Sequence, residues 1–515
     1  MANLKPIEGP RDLHGRRRIE VYNPATLERT GEIEVSTPSD VQAAVERARK
    51  AAEGWRALSF EERGRIMRRV RDVLLERADD LAETICRDTG KPRMEALSNE
   101  IFPACDSLTY YAKKTKRILR DEKKSLHMLK NKKLVLSYRP MGVIGIITPW
   151  NFPFILSLNP AVQAMMAGNT VVMKPSEITP FVGIALGQLM EAAGLPEGVY
   201  QVVTGDGSTG AALVEAGCDK ISFTGSVRTG RLVAEACGKR LIPCTLELGG
   251  KDPMIVCEDA DLERAANGAV FGAFANAGQV CTSTERVYVH EKIADKFVSR
   301  VVEITRGLRQ GLNSEGEIDV GAICSETQMD IIERHVKDAV EKGAKVLTGG
   351  KRNPKYKGNF YEPTVLTNVN HGMEIMREET FGPVLPIQVV RDEEEAIRLA
   401  NDTVYGLNSN VWTRDKRKGK KLANRIESGC STVNDCLVNY AVAENPFGGV
   451  KESGIGRVNG EMGLKSYCHV QGVLIDRFGT KSELLWYPYS ASKLRLVRRV
   501  LHLLYKSPLG KLLGN

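Results

Sequence analysis

The chain has 515 residues, 42% of them hydrophobic and 27% charged, with a formal net charge of +9. That length is about three domains' worth of chain and the composition supports a large buried core, which excludes a disordered or fibrous protein. The charge is unevenly placed: residues 476–515 hold eight Lys or Arg against two acids, so the body is close to neutral and a nucleic-acid role has little support.

Eleven cysteines, odd in number and without a Cys-x-x-Cys pair, fit reduced thiols in the cytoplasm. The seven histidines lack His-x-x-x-His or His-Glu-x-x-His spacing, so no metal site is expected. The basic N-terminus has no apolar stretch of a signal peptide, and no run of about 18 apolar residues predicts a membrane span.

Residues 38–86 show helical periodicity, with Ile66, Val70 and Leu74 four apart among Arg and Glu, and predict amphipathic helices covering something apolar. Residues 120–140 are charged with short apolar runs, which suits a β-hairpin away from the main sheet. A strict alternation follows: apolar runs at 143–147, 170–173, 200–203 and 221–223, each trailed by a helix-like stretch at 154–167, 178–193, 208–216 and 227–237. Four β-then-α repeats predict an α/β fold with a parallel sheet and helices on both faces, binding ligands beyond the carboxyl ends of its strands. The loops at those ends read TPWNFP, KPSE, TGDG and TGSVRTG. In the last, Gly225 and Gly230 bracket a helix start with Ser226 as N-cap, which turns backbone N–H groups toward a phosphate or simply caps a helix. A second α/β series begins with the strand at 253 and the helix at 261–275 and extends through 440; a glycine-dense loop at 444–460 and an alternating edge strand after 466 close it.

The stretch FANAGQVCTS at 274–283 places Cys281 in a loop-like setting, because Gly278 and Gln279 break the preceding helix and Thr282 and Ser283 are poor core company. A nucleophilic cysteine must be partly exposed and held as thiolate, and it needs a base and an oxyanion donor. Glu247, hemmed by leucines in LELGGK, reads as a base of raised pKa or as an ordinary solvated acid. Asn151, between Trp150 and Phe152, reads as a rigid amide donor or as a turn former.

Seven motifs, TPWNFP, KPSE, FTGS, LELGGK, Gly-Gln-Val-Cys, EETFGP (378–383) and NPFGG (445–449), occur in the order and approximate spacing of the aldehyde dehydrogenase superfamily, which the chain resembles over about 20–475. Thr-Gly-Lys-Pro at 89–92, with Glu95 after it, belongs to the same resemblance. The resemblance implies a Rossmann-like dinucleotide-binding domain (1–119 and 141–246), an α/β catalytic domain (247–443), and small oligomerisation or bridging elements (120–140 and 444–483) of a homodimer or homotetramer. It implies Cys281 as nucleophile, Glu247 as general base, and Asn151 with the Cys281 N–H as oxyanion site. The cofactor set is Ile147, Thr148 and Trp150 in the first loop, Lys174 and Glu177 at the adenosine ribose, Gly225, Ser226 and Gly230 at the pyrophosphate, Leu248, Glu379 at the nicotinamide ribose, and Phe381 beside the nicotinamide. Glu177 favours NAD, with NADP as the alternative.

Val280, Thr282 and Ser283 offer the nucleophile no neighbouring cation, which favours an uncharged aliphatic or aromatic aldehyde, and Phe152, Phe154 and Phe447 add apolar surface near the expected tunnel. A semialdehyde or other charged-aldehyde dehydrogenase is the alternative; from another class, a non-catalytic scaffold binding a membrane or partner. Residues 484–515 lie outside the resemblance. There Leu494, Val497, Leu501 and Leu504 recur at helical spacing opposite Arg495, Arg498, Arg499, His502 and Lys506, after Trp486, Tyr487 and Tyr489. This basic amphipathic tail, loosely similar to those of fatty-aldehyde and class 3 members, suits a helix docked on a neighbouring subunit or peripheral contact with an anionic membrane through 484–513, where long-chain aldehydes partition.

Overall fold

A computed structural model describes residues 16–312, 316–506 and 508. The chain divides into two compact units, residues 1–120 with 138–469, and residues 121–137 with 470–515.

The first unit opens on an antiparallel hairpin of β1 (Arg18–Tyr22) and β2 (Arg29–Glu34). The sequence does not announce it, because both strands carry charges and bury little. The helices Pro38–Ala57 and Phe60–Glu76 start at reciprocal caps, Thr37 with Asp40 and Ser59 with Glu62, each worth about 1 kcal/mol. The helix Ala78–Thr89 ends on Gly90 at φ 72°, the left-handed conformation that favours glycine. Ile66, Val70 and Leu74 are buried as their spacing predicts, and Trp55 is buried with its Nε1 donating to the Met165 carbonyl at 2.9 Å.

After β3 (Glu122–Lys124) and β4 (Lys132–Pro140) come the parallel strands β5 (Val143–Ile147), β6 (Thr170–Lys174), β7 (Tyr200–Val202), β8 (Lys220–Thr224) and β9 (Cys244–Glu247). They lie in the order β9-β8-β5-β6-β7. The helices Ile155–Met166, Pro180–Ala192, Gly207–Glu215 and Val227–Arg240 connect them, each within a few residues of the predicted stretch. β5 is buried along its whole length, as expected of a parallel strand covered on both faces. The register sets Ile147 beside Lys174 and Phe223, and Thr224 beside Glu247. Four loop starts therefore share one edge of the sheet.

A seven-stranded sheet follows, built of β10 (Asp252–Val256), β11 (Thr284–His290), β12 (Lys345–Thr348), β13 (Thr364–Thr367), β14 (Val384–Val390), β15 (Asn410–Trp412) and β16 (Thr432–Val433). Its order is β12-β13-β14-β11-β10-β15-β16, parallel except for β12. The chain passes from the end of β9 to the start of β10 in four residues, 248–251, so carboxyl ends of the first sheet meet amino ends of the second. The crossover from β10 to β11 runs through the helix Leu262–Phe274 and then the loop that carries Cys281. A short strand β17 (Gly454–Ile455) pairs antiparallel with β9.

The second unit holds a three-stranded sheet in which β18 (Cys468–Asp476) and β3 flank β4. The helix Ala491–Tyr505 follows it.

Candidate active site

Cys281 lines one cavity, and its chain neighbours Val280 and Thr282 line another. One, of about 260 Å³, is lined by Trp150, Asn151, Gly225, Glu247, Glu379 and Phe381, with Ser226 and Leu248 also at its wall. The other, of about 300 Å³, is lined among others by Phe102, Phe152, Phe271, Val280, Thr282 and Tyr440, and none of its wall residues is Lys, Arg, His, Asp or Glu.

The loop holding Cys281 is shaped by backbone that its sequence does not advertise. Asn276 and Ala277 adopt φ of 49° and 54° without being glycine, and Gly278 follows at 74°. Such conformations cost of order 1–3 kcal/mol each at non-glycine residues and persist only where surroundings impose them. Here Glu95 Oε1 accepts from Asn276 N at 2.8 Å, and Gln279 reaches both ways, Nε2 donating to the Asn276 and Ala322 carbonyls and Oε1 accepting from Cys324 N. Burial pushes the Glu95 carboxyl up to about 7.

Asn151 is buried, its Nδ2 donating to the Gln279 carbonyl at 3.1 Å and thereby tying the TPWNFP loop to the cysteine loop. The Asn151 carbonyl receives Asn276 Nδ2 at 3.0 Å and Lys91 Nζ at 2.8 Å. Lys91 in turn pairs with Glu100 at 2.7 Å, both side chains being wholly buried, and Glu100 Oε2 accepts from Phe154 N at 2.7 Å. None of Lys91, Glu95, Glu100, Asn276 or Gln279 was singled out as a site residue beyond the motif carrying Lys91 and Glu95; a lysine and a glutamate nine apart at the start of a helical stretch were the available signal. Replacing Lys91 with methionine strands Glu100 as a buried unpaired charge and is expected to cost about 3–5 kcal/mol of stability. The urea midpoint of Lys91→Met measures it.

Glu247, at the end of β9, is buried and neither carboxylate oxygen has a hydrogen-bond partner among the described residues. Burial holds its carboxyl well above the ordinary carboxylate range, with Arg457 pulling weakly the other way. A buried acid without a partner is costly to maintain, and at a cavity wall it marks a group kept for chemistry. Cys281 is half-buried, and burial first, then the carboxylates of Asp252, Glu379 and Glu247, raise its thiol rather than lowering it. Thr282 and Ser283, read from sequence as poor core company, are in fact buried, the Ser283 hydroxyl donating to the Gly272 carbonyl at 3.1 Å. Of the three phenylalanines expected at the tunnel, Phe152 lines the apolar cavity, Phe447 is buried in the small cluster against which Cys281 and Tyr440 pack, and Phe154 is packed in the core.

The remaining predicted residues gather along the shared sheet edge. Ile147 ends β5, and Thr148 N donates to the Lys174 carbonyl at 3.1 Å. Lys174 Nζ pairs with Glu177 at 2.9 Å. Ser226 caps the helix Val227–Arg240, accepting from Thr229 N. A Cβ on Gly225 would lie 2.6 Å from the Phe223 ring, and one on Gly230 2.5 Å from Leu248. Glycine at these positions keeps the helix start close to the strand, leaving room that fits a pyrophosphate. Ile147, Thr148, Lys174, Glu177 and Gly230 do not line the cavity beside Cys281. On the opposite wall, Glu379 Oε1 accepts from Gly250 N at 3.0 Å, and burial and Glu285 push its carboxyl up. Glu285 also receives the N–H groups of Thr380 and Phe381 at 2.8 and 2.9 Å and pairs with Lys251 at 2.5 Å, fixing the EETFGP loop. Phe381 then meets Trp150 edge-on at 5.3 Å between ring centres.

Cys281, the buried Glu247 and Asn151 thus line one cavity together with Gly225 and Ser226 of the helix start. Residues 12–473 match the model of the aldehyde dehydrogenase family, and the chain belongs to that family. It is 42% identical over 476 residues to the 4,4'-diapolycopene aldehyde oxidase of a Methylomonas species, covering 92% of this chain and 89% of that one. It is 40% identical over 481 residues to a putative succinate-semialdehyde dehydrogenase [NADP(+)] of Mycolicibacterium smegmatis, covering 92% of both. Among solved structures, an NAD-dependent aldehyde dehydrogenase from Sinorhizobium meliloti superposes with a TM-score of 0.87 at 36% identity, over 93% of this chain and 94% of that one. A Mycobacterium tuberculosis aldehyde dehydrogenase complexed with NAD+ gives 0.86 at 35%, over 90% and 95%. The chain is thus an NAD(P)-dependent aldehyde dehydrogenase, which displaces the scaffold alternative.

Proposed function

We propose that the protein oxidises uncharged, apolar aldehydes, long-chain ones included, to carboxylic acids. The observation that carries this is the apolar cavity lined by Val280 and Thr282, the chain neighbours of Cys281, whose wall has no Lys, Arg, His, Asp or Glu. A charged substrate tail entering it would lose its hydration with no cation to pair with, whereas each buried methylene contributes about 0.8 kcal/mol. The similarity to an oxidase of a carotenoid aldehyde supports the same reading; the semialdehyde dehydrogenase relative supports the alternative, but no residue of this wall supplies the cation a carboxylate tail needs.

In this reading the Cys281 sulfur attacks the aldehyde carbonyl and the thiol proton passes to solvent. The Asn151 amide and the Cys281 N–H hold the oxyanion. The dinucleotide, when bound, accepts the hydride. A thioester then joins the acyl group to Cys281, and Glu247 deprotonates the water that hydrolyses it, returning the thiol. Gly225, Ser226 and Gly230 would hold the pyrophosphate, with Ile147, Thr148, Trp150 and Leu248 lining the approach. Glu379 would hold the nicotinamide ribose and Phe381 flank the ring. Lys174 and Glu177 would hold the adenosine ribose; the Glu177 carboxylate accepts from ribose hydroxyls and repels a 2′-phosphate, so NAD is preferred to NADP. A homodimer or homotetramer in the cytoplasm completes the reading.

A panel of n-alkanals of rising length against succinic semialdehyde, each with NAD and NADP, checks it. The expected result is kcat/KM that climbs with chain length by up to about fourfold per buried methylene and a preference for NAD. A succinic semialdehyde rate above those of the alkanals would overturn the substrate assignment, and equal rates with NADP the role of Glu177.

A further inference from the structure

The second unit carries an apolar surface edged by cations and nothing else. Residues 484–489, LLWYPY, expose Leu485, Trp486, Tyr487 and Tyr489, the tryptophan at 57%. The helix Ala491–Tyr505 starts immediately after, capped by Ser490, whose side chain accepts from Lys493 N. Arg495, Arg498, Arg499 and His502 recur at i, i+3, i+4 and i+7 and so form one stripe of the helix. Leu494, Val500, Leu501 and Leu503 lie outside that stripe and are exposed, Leu501 at 51%. The helix buries none of its residues.

Charge decides what can cover this surface. The segment 484–515 contains no Asp or Glu. The nearest acids, Asp476 and Glu483, are both paired with Lys132. A two-fold-related copy of the helix would cover the leucines but carries no acid in the segment to receive the arginine stripe. Phosphate headgroups receive arginine, acyl chains receive leucine, and the boundary between them is where tryptophan and tyrosine settle. No helix among the described residues is long and apolar enough to cross a membrane, so the helix would lie in the plane of the surface.

We propose that residues 484–505 form a peripheral docking site for an anionic lipid bilayer, with the apolar face of the helix at the acyl boundary and Arg495, Arg498 and Arg499 at the headgroup phosphates. This stands on the tail alone and holds whatever aldehyde the enzyme oxidises.

The test is flotation of the full-length protein with pure phosphatidylglycerol and pure phosphatidylcholine vesicles, alongside light scattering without lipid. The wild type is expected to float with phosphatidylglycerol at low salt, less at high salt, and little with phosphatidylcholine. The triple variant Arg495→Ala/Arg498→Ala/Arg499→Ala should lose about 100-fold in partitioning, and Leu494→Ser/Leu501→Ser should also bind weakly. Both variants should keep wild-type turnover of a short soluble aldehyde, which shows that they fold. Wild type remaining with the buffer, equal flotation with both lipids, or undiminished flotation of the triple variant would overturn the proposal. So would a smaller assembly for Leu494→Ser/Leu501→Ser with vesicle binding unchanged, which would make the face a contact between copies.

Discussion

Cys281→Ala is expected to abolish aldehyde oxidation, lowering kcat by about 10⁴-fold or more while the protein remains folded and binds dinucleotide. Loss of a covalent nucleophile removes every later step, and residual binding or oxyanion groups have no adduct to stabilise. The site makes the expectation specific to this thiol. Of the eleven cysteines, Cys281 alone lines the cavity that also holds Asn151 and Glu247. The alanine should be tolerated structurally, because the loop is held by Glu95, Asn276 and Gln279 rather than by the sulfur. Steady-state turnover with hexanal, beside a thermal melt with and without dinucleotide, checks both halves.

Glu247→Gln is expected to separate the two chemical stages. Acylation survives, so the first turnover gives a burst, and deacylation slows by about 10²–10⁴-fold because no base remains to activate water. The pH dependence follows from the raised carboxyl of Glu247. A base works ionised, so the wild-type deacylation rate should rise with pH through that raised value and fall below it, well above the range of an ordinary glutamate. The raised Cys281 thiol adds a second rise on the alkaline side in acylation. In Glu247→Gln the rise in deacylation should vanish while the thiol's contribution to acylation stays. Pre-steady-state kinetics across pH on both proteins resolves the two.

The residues proposed to touch substrate were legible because the chemistry constrains local sequence: a cysteine after Gly-Gln-Val, an acid between leucines, an amide in a proline-bounded loop. The α/β alternation was equally plain, since strands covered on both faces are continuous apolar runs, as in β5. What holds the site was not legible. Lys91, Glu95 and Glu100 lie past the periodic stretch that ends at 86, where nothing local signals burial, and they are held by contacts with residues 54 to 181 positions away. Asn276 and Ala277 are left-handed without a glycine to signal it, because the conformation is imposed by Glu95 across the fold. The upward push on the Cys281 thiol comes from burial first and then from Asp252, Glu379 and Glu247, a setting that no local window contains. The hydroxyls of Thr282 and Ser283 suggested exposure, yet a buried hydroxyl is tolerated wherever a carbonyl such as that of Gly272 accepts from it.

Mass spectrometry of Glu247→Gln, quenched in acid after mixing with NAD and a long-chain alkanal and digested with pepsin, reads the mechanism directly. An acyl group on the peptide that contains Cys281, appearing within one turnover and lost slowly, is the result expected. An unmodified Cys281 peptide with product still forming, or an acyl group on any other cysteine, would contradict it.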